Sequence, residues 1–322
     1  MAFSRAFYSA RVVRLAGATA GGPAPELVLL EPREVPLGGT RAITVRRTLP
    51  HRDIRTIGPW CFVDHYGPHT GAGMDVPPHP HTGLQTVSWL LTGDVEHRDS
   101  LGSVARIRPG QLNLMTSGTG IAHSEVSAAS SGTLHGVQLW VALPDAHRHQ
   151  VPHFEQHTDL PTWQCPGAVV TVILGDLAGC RSPASSYSPL VGAAVRLDPG
   201  AAAVVPLRRT FEHAVLLTAG SATVLGAQLP VGALLSVGGG RTELDVASGP
   251  GAQLLLIGGE PLAEDLVMWW NFVGRSHEEI VADRADWQDG SRFGVVADYP
   301  GQRLPAPALP TTVLRPRPGR RR

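Results

Sequence analysis

His79–Glu125 reads HPHTGLQTVSWLLTGDVEHRDSLGSVARIRPGQLNLMTSGTGIAHSE. Short apolar runs alternate here with turn signals. Thr86–Leu91 reads as a strand, Thr92-Gly93-Asp94 as a turn and Val95–Asp99 as the return strand. Leu101-Gly102 turns again before Val104–Ile107, and Pro109-Gly110 before Leu112–Thr116. Ser117–Gly120 then leads into Ile121–Val126. Turns about 8–12 residues apart, with no helix between them, predict a β-sandwich or barrel.

Both ends of the stretch carry chemistry: His79-Pro80-His81 at one, His123-Ser124-Glu125 at the other. In an extended chain, residues i and i+2 point to the same face. His79 and His81 therefore share a face, and so do His123 and Glu125. Pro80 suits a strand start or edge, because it has no N–H for a ladder. Several short hairpins separate the pairs, enough chain to bring them side by side inside a small barrel. A lone H-x-H is usually a pair of surface or core histidines; two such pairs in one β block point to a metal ion. Imidazole suits Fe, Zn, Cu or Ni, and a carboxylate adds a tendency toward Fe or Mn. Four protein ligands on one side of an octahedron would leave positions for water or substrate, as chemistry or sensing requires.

Outward from this stretch, Leu134–Leu143 is a long apolar strand. Further on, Ala193–Leu197, Ala214–Thr218, Thr223–Leu225, Leu234–Val237 and Leu254–Ile257 repeat the rhythm, with turns at Pro199-Gly200, Gly220 and Val231-Gly232. The expected organisation is a flexible N-terminal extension at 1–25, a first β domain at 26–150, a connector at 151–190, a second β domain at 191–300 and a flexible basic tail at 301–322. One helix is expected, at 277–289. Ser276 and Glu279 form the Ser-x-x-Glu of a capping box, and Gly290 closes it.

Composition narrows the function. The chain has 322 residues, 37 of them Gly and 28 Pro, as a turn-rich β protein requires. Basic and acidic residues balance at 27 each, so the electrostatic footprint of a nucleic-acid binder is missing. Every basic residue is arginine, which excludes a P-loop and Schiff-base catalysis. Cys61, Cys165 and Cys180 form neither a disulfide framework nor a zinc–thiolate motif, consistent with a reducing cytoplasm. No apolar run is long enough for a transmembrane helix.

The stretch His79–Glu125, with GPWCFVDHYGP (Gly58–Pro68), QLWVALP (Gln138–Pro144), GGEPL (Gly258–Leu262) and MWWNFVGRSHEEI (Met268–Ile280), resembles the pirin-like family. The last of these resembles its bacterial branch, and the resemblance runs from about residue 26 to 299. It implies an all-β bicupin: two tandem cupin, jelly-roll-like barrels with a short C-terminal helix. It implies a single divalent metal in the N-terminal barrel, with His79, His81, His123 and Glu125 on the ligand positions. Iron, as Fe2+, is the usual metal of the family; Zn, Mn, Ni, Cu or Co could occupy the same donors. The C-terminal barrel is usually metal-free, and here Phe211-Glu212-His213 offers one histidine where a pair would be needed. Thr82-Gly83-Leu84-Gln85 departs from the Arg-Gly-Phe-Glu of many members, which puts a shared substrate in doubt.

Of the other histidines, His147, His149, His153 and His157 read as surface residues of the connector. His97 lies on a barrel strand, either behind the ligands or in the core. Gly118-Thr119-Gly120 is a tight turn, and Ser124 sits in no nucleophile elbow.

Two functions follow from the resemblance. One is a dioxygenase of the quercetin 2,3-dioxygenase type, with a flavonol-like substrate, O2 and Glu125 as base. The other is a metal- or redox-responsive regulator of a transcription factor or metabolic enzyme, with a protein as partner. A monomer without direct nucleic-acid or membrane contact is expected in both.

Overall fold

A computed structural model describes residues 12–15, 26–37, 43–71, 73–127 and 132–320. The fold is two cupin barrels in tandem, mostly strand, with one helix among the described residues, near the C-terminus.

In the first barrel a seven-stranded sheet faces a four-stranded one. The larger runs in the order His153–His157, Leu112–Thr116, Leu84–Thr92, Thr133–Ala142, Trp60–Thr70, Ile43–Leu49, Arg33–Leu37. The smaller runs Asp75–His81, Ile121–Ser127, Val95–Asp99, Val104–Ile107. The second barrel is one curled sheet built around Leu190–Leu197, Glu212–Val224, Leu234–Gly238 and Glu243–Gly259.

Several strands are apolar at consecutive positions because both faces are covered. In the second barrel, Val215 and Leu217 join the interior cluster with Phe211 and Val237. Between them, Ala214 and Leu216 turn to the junction and pack with Val137, Leu139 and Val141 of the first barrel. Trp60 is the pivot of that junction. It is wholly buried, and its indole Nε1–H is shared between the Val191 and Gly258 carbonyls of the second barrel (3.1 and 3.0 Å).

The helix spans His277–Asp289 as the capping signals require. Ser276 Oγ accepts from the Glu279 N–H at 3.2 Å, and Gly290 closes the helix at φ 76°. The Glu279 carboxylate reaches past Ser276 to the Arg275 N–H (2.7 Å) and also takes a bidentate contact from Arg148. Ile280 and Trp287 pack with Phe272, Phe293 and Ala122, which seats the helix against the four-stranded sheet.

Three expectations about the ends and the connector change. The stretch 301–322 is docked rather than flexible as far as Arg320. Leu304 N–H donates to the Pro78 carbonyl (2.8 Å), the Trp287 indole to the Leu304 carbonyl (2.8 Å), and Arg317 exchanges two backbone bonds with Leu266. Proline-rich sequence has few N–H groups, but its carbonyls and rings still find partners on a barrel wall. The connector at 151–190 is largely absorbed into the barrels. His153–His157 becomes the edge strand beside Leu112–Thr116, while Thr162–Cys165 and Ala168–Leu177 join the second sheet. Of the extension at 1–25, Val12–Leu15 is a strand paired with Leu27–Leu30, which in turn pairs with Leu234–Ser236 of the second barrel. The rest of that extension lies outside the described residues.

Candidate metal centre

The Asp75–His81 and Ile121–Ser127 strands are antiparallel, with His79 directly opposite His123 and His81 opposite Ile121. Strand period places His79 and His81 on one face, and the register brings His123 up beside His79 on the neighbouring strand. Ring centroids are 4.4 Å apart for His79–His123 and 5.0 Å for the other two pairs. One ring nitrogen from each of the three lies within 4.8 Å of the others. All three imidazoles are buried.

Glu125 stands differently. The ladder slips between His123 and Glu125, so that Glu125 faces Val76 and an extra residue sits on the Asp75–His81 strand. Pro77-Pro78 occupies the slip, where missing N–H groups cost no ladder bond. The Glu125 carboxylate does not enter the compact group formed by the three imidazoles. The Ser88 hydroxyl lies 3.2 Å from Glu125 Oε1 and 2.8 Å from Gln138 Oε1. A hydroxyl has one hydrogen, so it can donate to only one of them at a time.

Hydrogen bonding settles which nitrogens are free. His79 Nδ1 takes the Pro77 carbonyl at 2.9 Å, so its N–H is there and Nε2 is bare. His123 Nδ1 lies 3.2 Å from His97 Nδ1. Among the described residues, His123 Nε2 and His81 Nδ1 are buried without a hydrogen-bond partner. Burial pushes the His79 imidazole down to about 4 and holds His81 and His123 well below the usual histidine value. Burial likewise raises the Glu125 carboxyl, against the opposing pull of His97 and Ser88. Neutral imidazoles with orphaned buried nitrogens are what a divalent first-row ion needs, and an unpartnered buried nitrogen is costly without one.

An aromatic wall continues from the triad. Trp140 meets His81 edge-on at 5.2 Å and stacks on Phe62 at 3.9 Å. Arg47 lies over Phe62 at 4.2 Å and grips the buried Asp64 with two bonds of 2.7 Å. Trp140 and Asp64 lie within the stretches QLWVALP and GPWCFVDHYGP but were not among the expected site residues. The departing residues Thr82 and Gln85 reach away from the triad. Thr82 Oγ1 donates to Asp283 of the helix (2.7 Å), and Gln85 to Thr116 and the Ser185 carbonyl. Gly83 between them is obligatory: at φ 69°, a Cβ would stand 2.0 Å from the Val273 carbonyl oxygen.

Among the described residues, the connector histidines join no metal-holding group. His153 and His157 flank Glu155, 3.5 and 3.0 Å from its two oxygens, and His147 rests against Tyr187. In the second barrel, His213 is fully buried, with neither ring nitrogen partnered among the described residues, and burial pushes it down to about 4.

Two barrels in tandem, the first with clustered imidazoles on its inner face, define a two-cupin protein. The Pirin family model matches residues 42–141, the model of the Pirin C-terminal cupin domain matches residues 192–294, and the chain belongs to the pirin family. A Pseudomonas aeruginosa protein provisionally named quercetin 2,3-dioxygenase is 45% identical over 282 residues, 86% of this chain and 89% of that one. A pirin-like protein of Caulobacter vibrioides is 35% identical, over 82% of this chain and 94% of that one. The crystal structure of quercetin 2,3-dioxygenase from Acinetobacter baumannii superposes with a TM-score of 0.86 at 39% identity, covering 90% of this chain and 97% of that one. The bacterial pirin of Escherichia coli, crystallised in complex with nickel(II), shares the fold at 18% identity and a TM-score of 0.58, over 73% and 99% of the two chains. Among the described residues, no helix is long and apolar enough to cross a membrane.

Proposed function

We propose that the chain is an iron(II)-dependent dioxygenase that opens a flavonol-like ring with O2, and that His79, His81 and His123 hold the ion. The observation that carries this reading is the buried triad, with His81 Nδ1 and His123 Nε2 lacking a hydrogen-bond partner among the described residues, and His123 two positions along the strand from a carboxyl whose proton affinity is raised. The quercetin dioxygenase names of the Pseudomonas and Acinetobacter relatives support the reaction class. The nickel complex of the Escherichia coli pirin supports a first-row divalent ion.

When bound, the ion supplies an open position for a substrate oxygen and a path for electrons to O2. The chain's own residues do the rest. Glu125 takes the proton of the substrate's enolic hydroxyl, the role a buried carboxylate of raised pKa suits. Once protonated, it donates to the Ser88 oxygen, and Ser88 turns its hydrogen to Gln138 Oε1, so the proton is held without an unpaired polar atom. Glu125 is also the candidate fourth ligand of the ion. Trp140 and Phe62 supply a flat apolar wall that orients an aromatic substrate and keeps water from the reacting carbon.

The test is aerobic consumption of quercetin by iron-loaded protein, followed by loss of its visible absorbance, with His123→Ala as comparison. Turnover in the parent that falls at least about 100-fold in the variant is expected. Equal rates in both, or no consumption by the loaded parent, would overturn the reading.

A further inference from the structure

We infer that His97 and Asp99 are positioning residues that lock His123 in the tautomer able to bind the metal. The inference rests on the reading of His123 as a ligand, and it concerns residues that never touch the ion.

Both lie on Val95–Asp99, which pairs with Ile121–Ser127 on the side opposite His79 and His81. Asp99 faces His123 and His97 faces Glu125, all in unshifted register. His97 Nε2 lies 3.2 Å from Asp99 Oδ2, and His97 Nδ1 lies 3.2 Å from His123 Nδ1. Asp99 Oδ1 is already occupied by the backbone N–H groups of Leu101 (2.9 Å) and Ser103 (3.0 Å). All three side chains are at least nine-tenths buried, and Phe154 stacks on the His97 ring at 4.3 Å, which keeps its plane from turning.

With His97 neutral, these contacts allow one consistent arrangement of hydrogens. A carboxylate only accepts, so His97 carries its hydrogen on Nε2 and gives it to Asp99. Neutral His97 then has a bare Nδ1, which can only accept from the nitrogen 3.2 Å away. His123 must therefore carry its hydrogen on Nδ1. That leaves the lone pair on His123 Nε2, the atom left buried and unpartnered. Reverse the first bond and every later one reverses, ending with a hydrogen on Nε2 where the lone pair is required. A carboxylate behind a histidine commonly orients a ligand this way; here the carboxylate acts one imidazole further back.

Asp99→Asn is the decisive variant. The side-chain carbonyl must keep accepting from the Leu101 and Ser103 N–H groups, so the new NH2 faces His97 Nε2 and donates to it. His97 is then forced to carry hydrogen on Nδ1, and His123 on Nε2. The experiment uses full-length protein stripped of metal by chelator, with the His123 tautomer read from long-range 1H–15N NMR. Co2+ affinity is measured by titration calorimetry on the same samples, and circular dichroism checks that the fold is kept. The expected result is Nδ1–H in the parent, Nε2–H in Asp99→Asn, and Co2+ binding about 10–100-fold weaker in the variant. His97→Phe, which keeps the stack on Phe154, should also weaken Co2+ binding, with His123 no longer held in one tautomer. The inference is overturned if the parent shows Nε2–H, or if Asp99→Asn changes neither tautomer nor affinity. Should Asp99→Asn fail to fold, His97→Phe with unaltered tautomer and affinity overturns it equally. A parent that binds no Co2+ defeats the metal reading, while the metal-free tautomers still decide the hydrogen-bond chain.

Discussion

Leu304 donates its backbone N–H to the carbonyl of Pro78 at 2.8 Å, one residue before His79. The C-terminal stretch is thereby tied to the outer wall of the strand that carries two of the three clustered imidazoles. Tyr299 adds a second tie, its hydroxyl donating to Asp75 at 2.7 Å.

Ending the chain at Gln302 should therefore destabilise it measurably. The Trp287 indole loses its acceptor, the Leu266–Arg317 bridge disappears, and Ala306 leaves the cluster around Phe293. At about 1 kcal/mol for each bond lost between this stretch and Pro78, Trp287 and Leu266, a cost of about 4 kcal/mol is expected. A fall in Tm of about 6–10 °C should appear in a circular-dichroism melt; an unchanged Tm would mean the docked tail contributes nothing.

Trp60→Ala should loosen the two barrels from each other. It empties a fully buried site and leaves the Val191 and Gly258 carbonyls without their shared donor. The expected cost is about 3–5 kcal/mol in urea unfolding. Gly192→Ala should be damaging for the complementary reason, since its Cβ would stand 2.9 Å from the Trp60 ring. If both variants unfold at the parent's urea midpoint, Trp60 is not the pivot of the junction.

Asp64→Ala should cost about 3–5 kcal/mol, because it leaves the Arg47 guanidinium with no counter-charge in a nearly closed site. The double variant Arg47→Met with Asp64→Leu should recover most of that loss, since it removes both charges. Urea midpoints of the parent, the single and the double variant check both statements.

Acid should destabilise the metal-free protein well before its carboxylates titrate. His65 Nε2 lies 2.8 Å from His135 Nε2, a contact in which one nitrogen must lack a hydrogen. Burial, with Arg46, His135 and His69 nearby, pushes His65 down to about 3, and burial lowers His135 too. In the unfolded chain a histidine takes up its proton near pH 6.5. The unfolded state therefore binds more protons between about pH 6.5 and 3, and stability falls as pH drops through that window. His65 alone accounts for up to about 3 kcal/mol between pH 7 and pH 4. Flat urea midpoints from pH 7 to pH 4 would contradict this.

The turn spacing and paired motifs of His79–Glu125 were enough to indicate a barrel and to put His79 and His81 on one face, because strand period puts i and i+2 together; that His123 joins them was implied by the family resemblance and is decided by the ladder. Ser276 and Gly290 likewise marked the helix, because caps act within one turn of chain. Local periodicity carries no information about who lies across a ladder. The slip opposite Pro77-Pro78, which sets Glu125 apart from the imidazoles, is a property of two strands together. So are the His97–Asp99 contact with His123, the closure of Trp140 over His81, and the docking of 304–320 on Pro78 and Leu266. Local sequence determined which residues could share a face; only the packed barrels decided which atoms meet, because hydrogen-bond partners and buried neighbours are assigned by register and not by distance along the chain.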